Sequence, residues 1–308
     1  MSLVIVGTVA FDAIETPFGK TDKILGGAAT FISMAAAKLH DQVKVISVIG
    51  GDFPDEYLTL LNERGVQTEG IKKIPEGKTF FWSGKYHIDM NTRDTLITEL
   101  NVLADFDPQV PASYTDCTYL MLGNLTPSIQ KKVINQIPVR PKLIVMDTMN
   151  FWMNTAMDDL KDVLTMIDVL TINDEEARQL SNEYSLVKAA RKILNMGPKF
   201  LIIKKGEHGA LLFHEDKVFY APAMPLEEVF DPTGAGDTFA GGFIGFLAKT
   251  DDISFDNMKR AIIFGSAMAS FAVEKFGTEA LQELKNGTLY DRVQQFLGLV
   301  KFDIILSE

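Results

Sequence analysis

The sequence predicts an α/β fold with a mostly parallel central sheet, helices on both faces and a small antiparallel β lid. Three observations carry this. Short, wholly apolar runs alternate with helix-length segments, the pattern of strands buried on both faces and joined by crossover helices. Glycine, Asp, Asn and Lys gather in the turns that follow those runs. An aromatic, β-branched stretch interrupts the alternation once, between residues 77 and 106.

In order, Leu3 to Val9 reads as the first buried strand, and Gly26-Gly27 opens a small-residue helix, Ala28 to Leu39. Val43 to Ile49 is a second strand, followed by Gly50-Gly51-Asp52 and a helix from about Pro54 to Arg64. Thr79 to Tyr86 and Thr95 to Thr98 predict antiparallel strands outside the main sheet. With residues 13–25 they are expected to form a small mobile lid, a plain structural hairpin being the other reading of the same signal. Strands resume at Tyr119 to Leu122, Leu143 to Met146, Val169 to Ile172 and Phe200 to Ile203. Helices are expected at about Pro127 to Gln136, Met157 to Met166, Glu175 to Leu180 and Leu186 to Asn195. Gly209 to Phe213 and Val218 to Tyr220 read as a hairpin, and helices dominate from Gly236 onward. No repeat or linker is visible, so residues 1–308 are expected to form one domain carrying its lid.

Composition narrows the function classes. A net charge of −11 speaks against a general nucleic-acid binder, which needs a basic surface. The lone Cys117 cannot form an internal disulfide, and the four histidines show no metal-ligand spacing. The apolar run at the N-terminus is too short for a signal peptide, and Ala261 to Val273 is too short to span a membrane. A soluble, cytoplasmic protein is expected.

The chemistry-bearing stretch is Asp231-Pro232-Thr233-Gly234-Ala235-Gly236-Asp237-Thr238-Phe239. It is a flexible loop feeding a helix N-terminus, where free N–H groups and the helix dipole favour an anion. Two acids bracket it, and a glycine turn with Asp237 as a capping acid explains the bare motif equally well. Gly19-Lys20-Thr21 and Gly77-Lys78-Thr79 lack the leading glycine of a P-loop, and Phe239 stands where a dinucleotide fingerprint needs glycine. Further signals follow successive strands: Asp12, Gly26-Gly27, Asn173-Asp174-Glu175-Glu176, and Lys204-Lys205-Gly206-Glu207-His208-Gly209. Each has a bland reading as a cap or turn. Together they mark the carboxyl edge of the sheet, where α/β proteins bind ligands.

In this order the motifs resemble those of the ribokinase-like (phosphofructokinase-B type) family of carbohydrate and nucleoside kinases, across nearly the whole chain. The shared elements are the early Asp12, Gly26-Gly27, Asn173 with Glu176, Gly206 with Gly209, and the signature Asp231 to Asp237. The resemblance implies a ribokinase-like three-layer fold and ATP-dependent phosphorylation of a hydroxymethyl group on a small sugar or sugar-like alcohol. It implies Asp237 as base and the amides of Gly234, Ala235 and Gly236 as anion hole. Magnesium is implied at Asn173 and Glu176 through water, and ATP along Asn173, Lys205, Gly206, Gly209, Gly234, Gly236 and Ser266. A monovalent cation such as potassium is implied at Asp231, Thr233 and Gly277.

On the substrate side the implied residues are Asp12, Gly26, Gly27, Thr30, Phe31, Trp82, Arg93, Asn124 and Asp237. Phe31 departs from the family, which carries a sugar-binding Asn there, so ribose held in the family manner is not expected. Asp147 with Asn150 also lies just past a strand and is a candidate to complete the pocket. The aromatic lid favours the alternative of a nucleoside kinase. A nucleotide sensor that has lost catalysis is the rival from another class, against which the intact Asp237, Asn173 and Glu176 count. Lid strands leave edges to cover, which predicts a homodimer through the lid.

Overall fold

The computed structural model describes residues 1–285 and 287–301. Strand β1 (Ser2–Val6) leads into the shorter strands β2 (Ala10–Thr16), β3 (Gly19–Lys20) and β4 (Ile24–Gly26). Helix α1 (Ala28–Ala37), β5 (Val43–Gly50), α2 (Asp55–Glu63) and β6 (Val66–Ile74) follow, then β7 (Phe81–Tyr86) and β8 (Arg93–Glu99). Next come β9 (Cys117–Leu122), α3 (Pro127–Gln136), β10 (Leu143–Asp147), α4 (Asn150–Thr155), α5 (Met157–Leu164) and β11 (Val169–Asn173). Helices α6 (Asp174–Ser181) and α7 (Leu186–Leu194) precede β12 (Phe200–Lys204), β13 (Ala210–His214) and β14 (Lys217–Ala221). Helices α8 (Ala235–Thr250), α9 (Phe255–Ala272), α10 (Glu279–Glu283) and α11 (Thr288–Val300) complete the described chain.

The main sheet has nine strands in the order β14-β13-β12-β11-β10-β9-β1-β5-β6. Pairing is parallel from β12 through β6, while β13 and β14 are antiparallel. The chain runs outward from β1 to β6, returns to β9 on the other side of β1, and runs outward again. The strand order therefore switches between β1 and β9, which opens a crevice at their carboxyl ends. Strands β1, β5, β9 and β10 are almost wholly buried because helices cover both faces. Helices α1, α2 and α8 to α11 share one core with residues such as Ile5, Val45, Val145 and Ile202. Helices α3 to α7 share the other with Val4, Ile46, Met146 and Ile203.

The predicted three layers are present, and so is the small second sheet, in the order β3-β2-β7-β8 with β4 on β2. Its pairings are antiparallel except one: β2 and β7 run parallel, Asp12 opposite Trp82. Two elements were not expected from the sequence. Strand β6 reads as polar because it is an edge strand, half exposed along its length. Helix α4 begins at Asn150, inside a stretch read only as a loop.

Helix α8 lies between α1 and α9, and missing side chains let it approach both. A Cβ on Gly241 would stand 2.3 Å from the Ile32 carbonyl oxygen of α1, and one on Gly242 3.0 Å from Gly265 Cα of α9. The small-residue run of the sequence is thus a packing surface on two sides. Gly241→Ala should push α8 off α1 and lower stability by ~1–3 kcal/mol, the usual scale of overpacking. A urea denaturation midpoint unchanged from wild type would show that the two helices do not depend on this approach.

Candidate active site

Two helices open on glycine at the carboxyl edge of the sheet, and their N-termini differ. At α1 the first amides are taken: Thr8 Oγ1 accepts from Ala28 N–H at 2.9 Å, and the Thr8 carbonyl accepts from Ala29 N–H at 2.9 Å. At α8 the Ala235 N–H donates to the Pro232 carbonyl at 3.2 Å. The N–H groups of Gly234, Gly236 and Asp237 find no acceptor among the described residues. Only α8 therefore offers free donors, and Ala235, expected among them, is engaged in the turn. Gly234 has φ 73°, and a Cβ there would stand 2.5 Å from the Phe31 ring. Phe31 is 1% exposed, so it supports the loop from beneath and does not line an open pocket. Thr30 is likewise buried, its hydroxyl donating to the Gly26 carbonyl at 2.7 Å.

Asp12 projects from β2 onto the glycine pair. A Cβ on Gly26 would lie 2.0 Å from Asp12 Oδ2, and Gly27, at φ 93°, donates its N–H to that oxygen at 3.3 Å. The first glycine makes room for the carboxylate and the second supplies the backbone conformation. Burial, with help from Asp231 and Asp237, raises the Asp12 pKa to about 7 against the pull of the Gly27 N–H. Asp237, in the first turn of α8, receives no hydrogen bond among the described residues. Burial and the Asp147 charge push its pKa to about 7, opposed by Lys204 and Arg93. Its side chain keeps partial solvent exposure.

Asp147 ends β10 and Lys204 ends β12 on the sheet face that packs under α8. Lys204 Nζ donates to Asp147 Oδ2 at 2.9 Å, and Asp147 Oδ1 accepts the Thr148 N–H at 2.9 Å. Asn173 and Glu176 form a capping box at the start of α6. Asn173 Oδ1 accepts from Glu176 N–H, and Glu176 Oε2 accepts from Asn173 N–H, each at 2.8 Å. Glu176 is buried, which raises its pKa to about 7 together with the Asp147 charge, while Lys204, the Asn173 bond and Arg93 oppose the rise. The cap accounts for Asn173 and one oxygen of Glu176, and leaves the other oxygen uncommitted. Among the described residues no group of three or more His, Cys, Asp or Glu side chains could hold a metal ion. A protein-only cage is therefore absent there, and a small hard cation would keep waters or phosphate oxygens as ligands.

The lid completes the surroundings. The Trp82 ring packs on Gly84, where a Cβ would meet it at 2.2 Å, and Arg93 stands 5.9 Å from the ring centroid. Thr233 donates to the Tyr86 hydroxyl at 3.2 Å, joining lid to loop. Asp231 is fully buried and accepts the N–H groups of Thr233 and Gly277, each at 2.8 Å, which brings these three residues together.

The remaining expected residues are scattered around the edge. Lys205 N–H bonds the Gly209 carbonyl at 2.8 Å and shapes the turn through Gly206. Ser266 is half-buried on α9. Asn124 accepts from Trp152 Nε1 at 2.8 Å and contacts Met149 Sδ at 3.1 Å, so it is tied to α4. The sequence reading placed Tyr86 with the stacking aromatics of the lid, not against Thr233, and named Lys205 for the nucleotide; Lys204 is the lysine that lies against Gly236. Period-two alternation from the buried Ile202 was the available signal for Lys204.

A model of the pfkB family of carbohydrate kinases matches residues 2–284. A cytidine kinase of Thermococcus kodakarensis is 29% identical over 81% of this chain and 89% of its own length. A ribokinase of Staphylococcus aureus is 33% identical over 83% of this chain and 84% of its own length. A Burkholderia thailandensis nucleoside kinase, solved with ADP-inosine, superimposes with a TM-score of 0.78 at 20% identity, covering 96% of each chain. An amide loop with an acid in its first helical turn, set at the switch point of this sheet, accords with that match, and the chain belongs to the pfkB family of carbohydrate kinases.

Proposed function

We propose that this protein transfers the γ-phosphoryl group of ATP to a hydroxymethyl group on a sugar unit, with Asp237 as base. The observation that carries the reading is the pairing of free amides at Gly234, Gly236 and Asp237 with a carboxylate that no protein group holds. Phosphoryl transfer needs positioned donors for the charge on the transferring group and one acceptor for the hydroxyl proton. A base with a pKa near the working pH suits that task. Asp12, opposite Trp82 on the lid, is placed to hold acceptor hydroxyls. Glu176, beside Asn173, would hold magnesium through water; the ion, when bound, would neutralise phosphate charge. The turn from Lys205 to Gly209 would carry the nucleotide, and Asp231, Thr233 and Gly277 a monovalent cation.

Between acceptor classes, the nucleoside reading has the better support. Trp82 offers a flat aromatic face on the lid surface that Asp12 shares, suited to stacking on a base. Phe31 occupies the place of a sugar-binding side chain, and the cytidine kinase of T. kodakarensis is similar over most of this chain. The S. aureus ribokinase keeps free sugars as the second reading. Strand β8 is exposed at every position and forms the outer edge of the lid sheet, with Leu96, Ile97 and Leu100 at its surface. A second copy of the chain would cover this edge.

Asp237→Asn should keep nucleotide binding and lower turnover by at least ~10²-fold, the scale of losing a positioned base. Near-normal turnover would remove Asp237 from the mechanism. Because the base acts ionised and its pKa is about 7, wild-type kcat/KM should be level above neutrality and fall as pH drops below it. A profile still flat at pH 5.5 would contradict this assignment. In a screen reading ADP release, cytidine and inosine should outperform ribose and other free sugars. Trp82→Ala should raise KM for nucleosides by roughly tenfold or more, the value of one lost stacking contact, with sugars little changed. Preference for a free sugar, unaffected by Trp82→Ala, would reverse the choice. Light scattering should give a dimer mass that Ile97→Asp reduces to a monomer's; a monomer at all concentrations would exclude the lid interface.

A further inference from the structure

Lys204 is a buried ammonium at the foot of the amide loop, and the roles described so far do not use it. Its side chain is 18% exposed and that of its partner Asp147 is 8% exposed. A Cβ on Gly236 would stand 3.1 Å from Lys204 Nζ, so the charge lies directly against the loop and the first turn of α8. An ammonium has three donors. Only the bond to Asp147 Oδ2, at 2.9 Å, uses one of them among the described residues. Thr238 Oγ1 in the first turn of α8, and Thr171 Oγ1 on the strand between β10 and β12, are also buried without partners. Burial works against the lysine's charge, but Asp147, Glu176 and Asp237 outweigh it and keep the group protonated.

A pair that served only to join β10 to β12 would gain little, because apolar residues do that at least as well. A cation with uncommitted donors beside free amides suits an anionic ligand. We infer that Lys204 is a catalytic residue whose ammonium contacts the transferring phosphoryl group, with Asp147 as the positioning residue that aims it. The inference rests on the kinase reading above. In the step, the acceptor oxygen forms a bond to the γ-phosphorus as the bond to the β–γ bridging oxygen breaks. The hydroxyl proton passes to Asp237 and ADP leaves. Lys204 gives up no proton; it offsets the charge on the non-bridging oxygens alongside the Gly236 and Asp237 amides.

The test uses the full chain with Lys204→Met, Lys204→Arg, and the double variant Lys204→Met with Asp147→Asn. The double variant removes the unpaired buried carboxylate that could unfold the single one. Calorimetry with magnesium compares ADP with a non-hydrolysable ATP analogue, and ADP release gives turnover. A contact to the γ-phosphate predicts that the double variant binds ADP within about threefold of wild type but loses roughly tenfold in its preference for the analogue, as expected for one charge-assisted bond. Turnover should fall ~10²–10³-fold, with partial recovery in Lys204→Arg. A folded double variant with wild-type nucleotide preference and turnover would overturn the role of Lys204 and leave the kinase reading standing. A wild-type chain that binds neither nucleotide would overturn both.

Discussion

The close seating of α8 against α1 and α9 is the constraint on which the rest of the site depends. Its first turn can present free amides only if the helix begins at the carboxyl edge, directly above Asp147 and Lys204. That position is reached because Gly241, Gly242 and Gly245 leave no side chain between the three helices. Phe31 adds a second restraint. Its buried ring fills the space beside Gly234, so the loop cannot settle into the core and take its own carbonyls as partners. Packing thus keeps the donors unsatisfied, a state that costs stability unless a ligand or water meets them.

That geometry concentrates charge of one sign. Asp12, Asp147, Glu176 and Asp237 converge on the same edge, with Lys204 buried among the last three and Arg93 reaching in from the lid. Burial raises three of these acids to pKa values of about 7, so near neutrality the edge is divided between charged and neutral forms. A cation carried in with a phosphate would relieve the repulsion, whereas a bare anion would increase it. In the proposed function the two sets would be complementary: the amides would answer the phosphoryl oxygens, Glu176 the counterion and Asp237 the acceptor proton.

Much of this was legible in the sequence, and the omissions have physical reasons. Strands buried on both faces announce themselves as apolar runs, so β1, β5 and β9 to β12 were readable. Strand β6 was not, because an edge strand exposes polar side chains and its Gly70 resembles a turn. The motif Asp231 to Asp237 was readable as an anion loop, but which amides are free depends on whether the turn closes on Pro232, which tertiary packing decides. Phe31 was readable as a departure from the family, though not as a buried support. Alternation along β12 carries Lys204 to the face of Ile202, under α8, while Lys205 lies just past the strand, and two adjacent lysines in a turn do not by themselves show which is which.

The lid joins the two halves of the edge. Near its base, the Tyr86 hydroxyl accepts from Thr233, one residue before Gly234. At its tip, Asp89 orders the turn by accepting the N–H groups of Asn91 and Thr92 at 3.1 and 2.9 Å. A Cβ on Gly206 would stand 2.7 Å from Asn91 Oδ1, so the tip meets the turn assigned to the nucleotide. The same small sheet therefore touches the amide loop, carries Trp82 and Asp12, and reaches the turn at Gly206 proposed for the nucleotide. A movement of this sheet would disturb all three at once. Such shared contacts are a physical basis for coupling acceptor binding to nucleotide binding, since each ligand would favour the lid position that the other also needs.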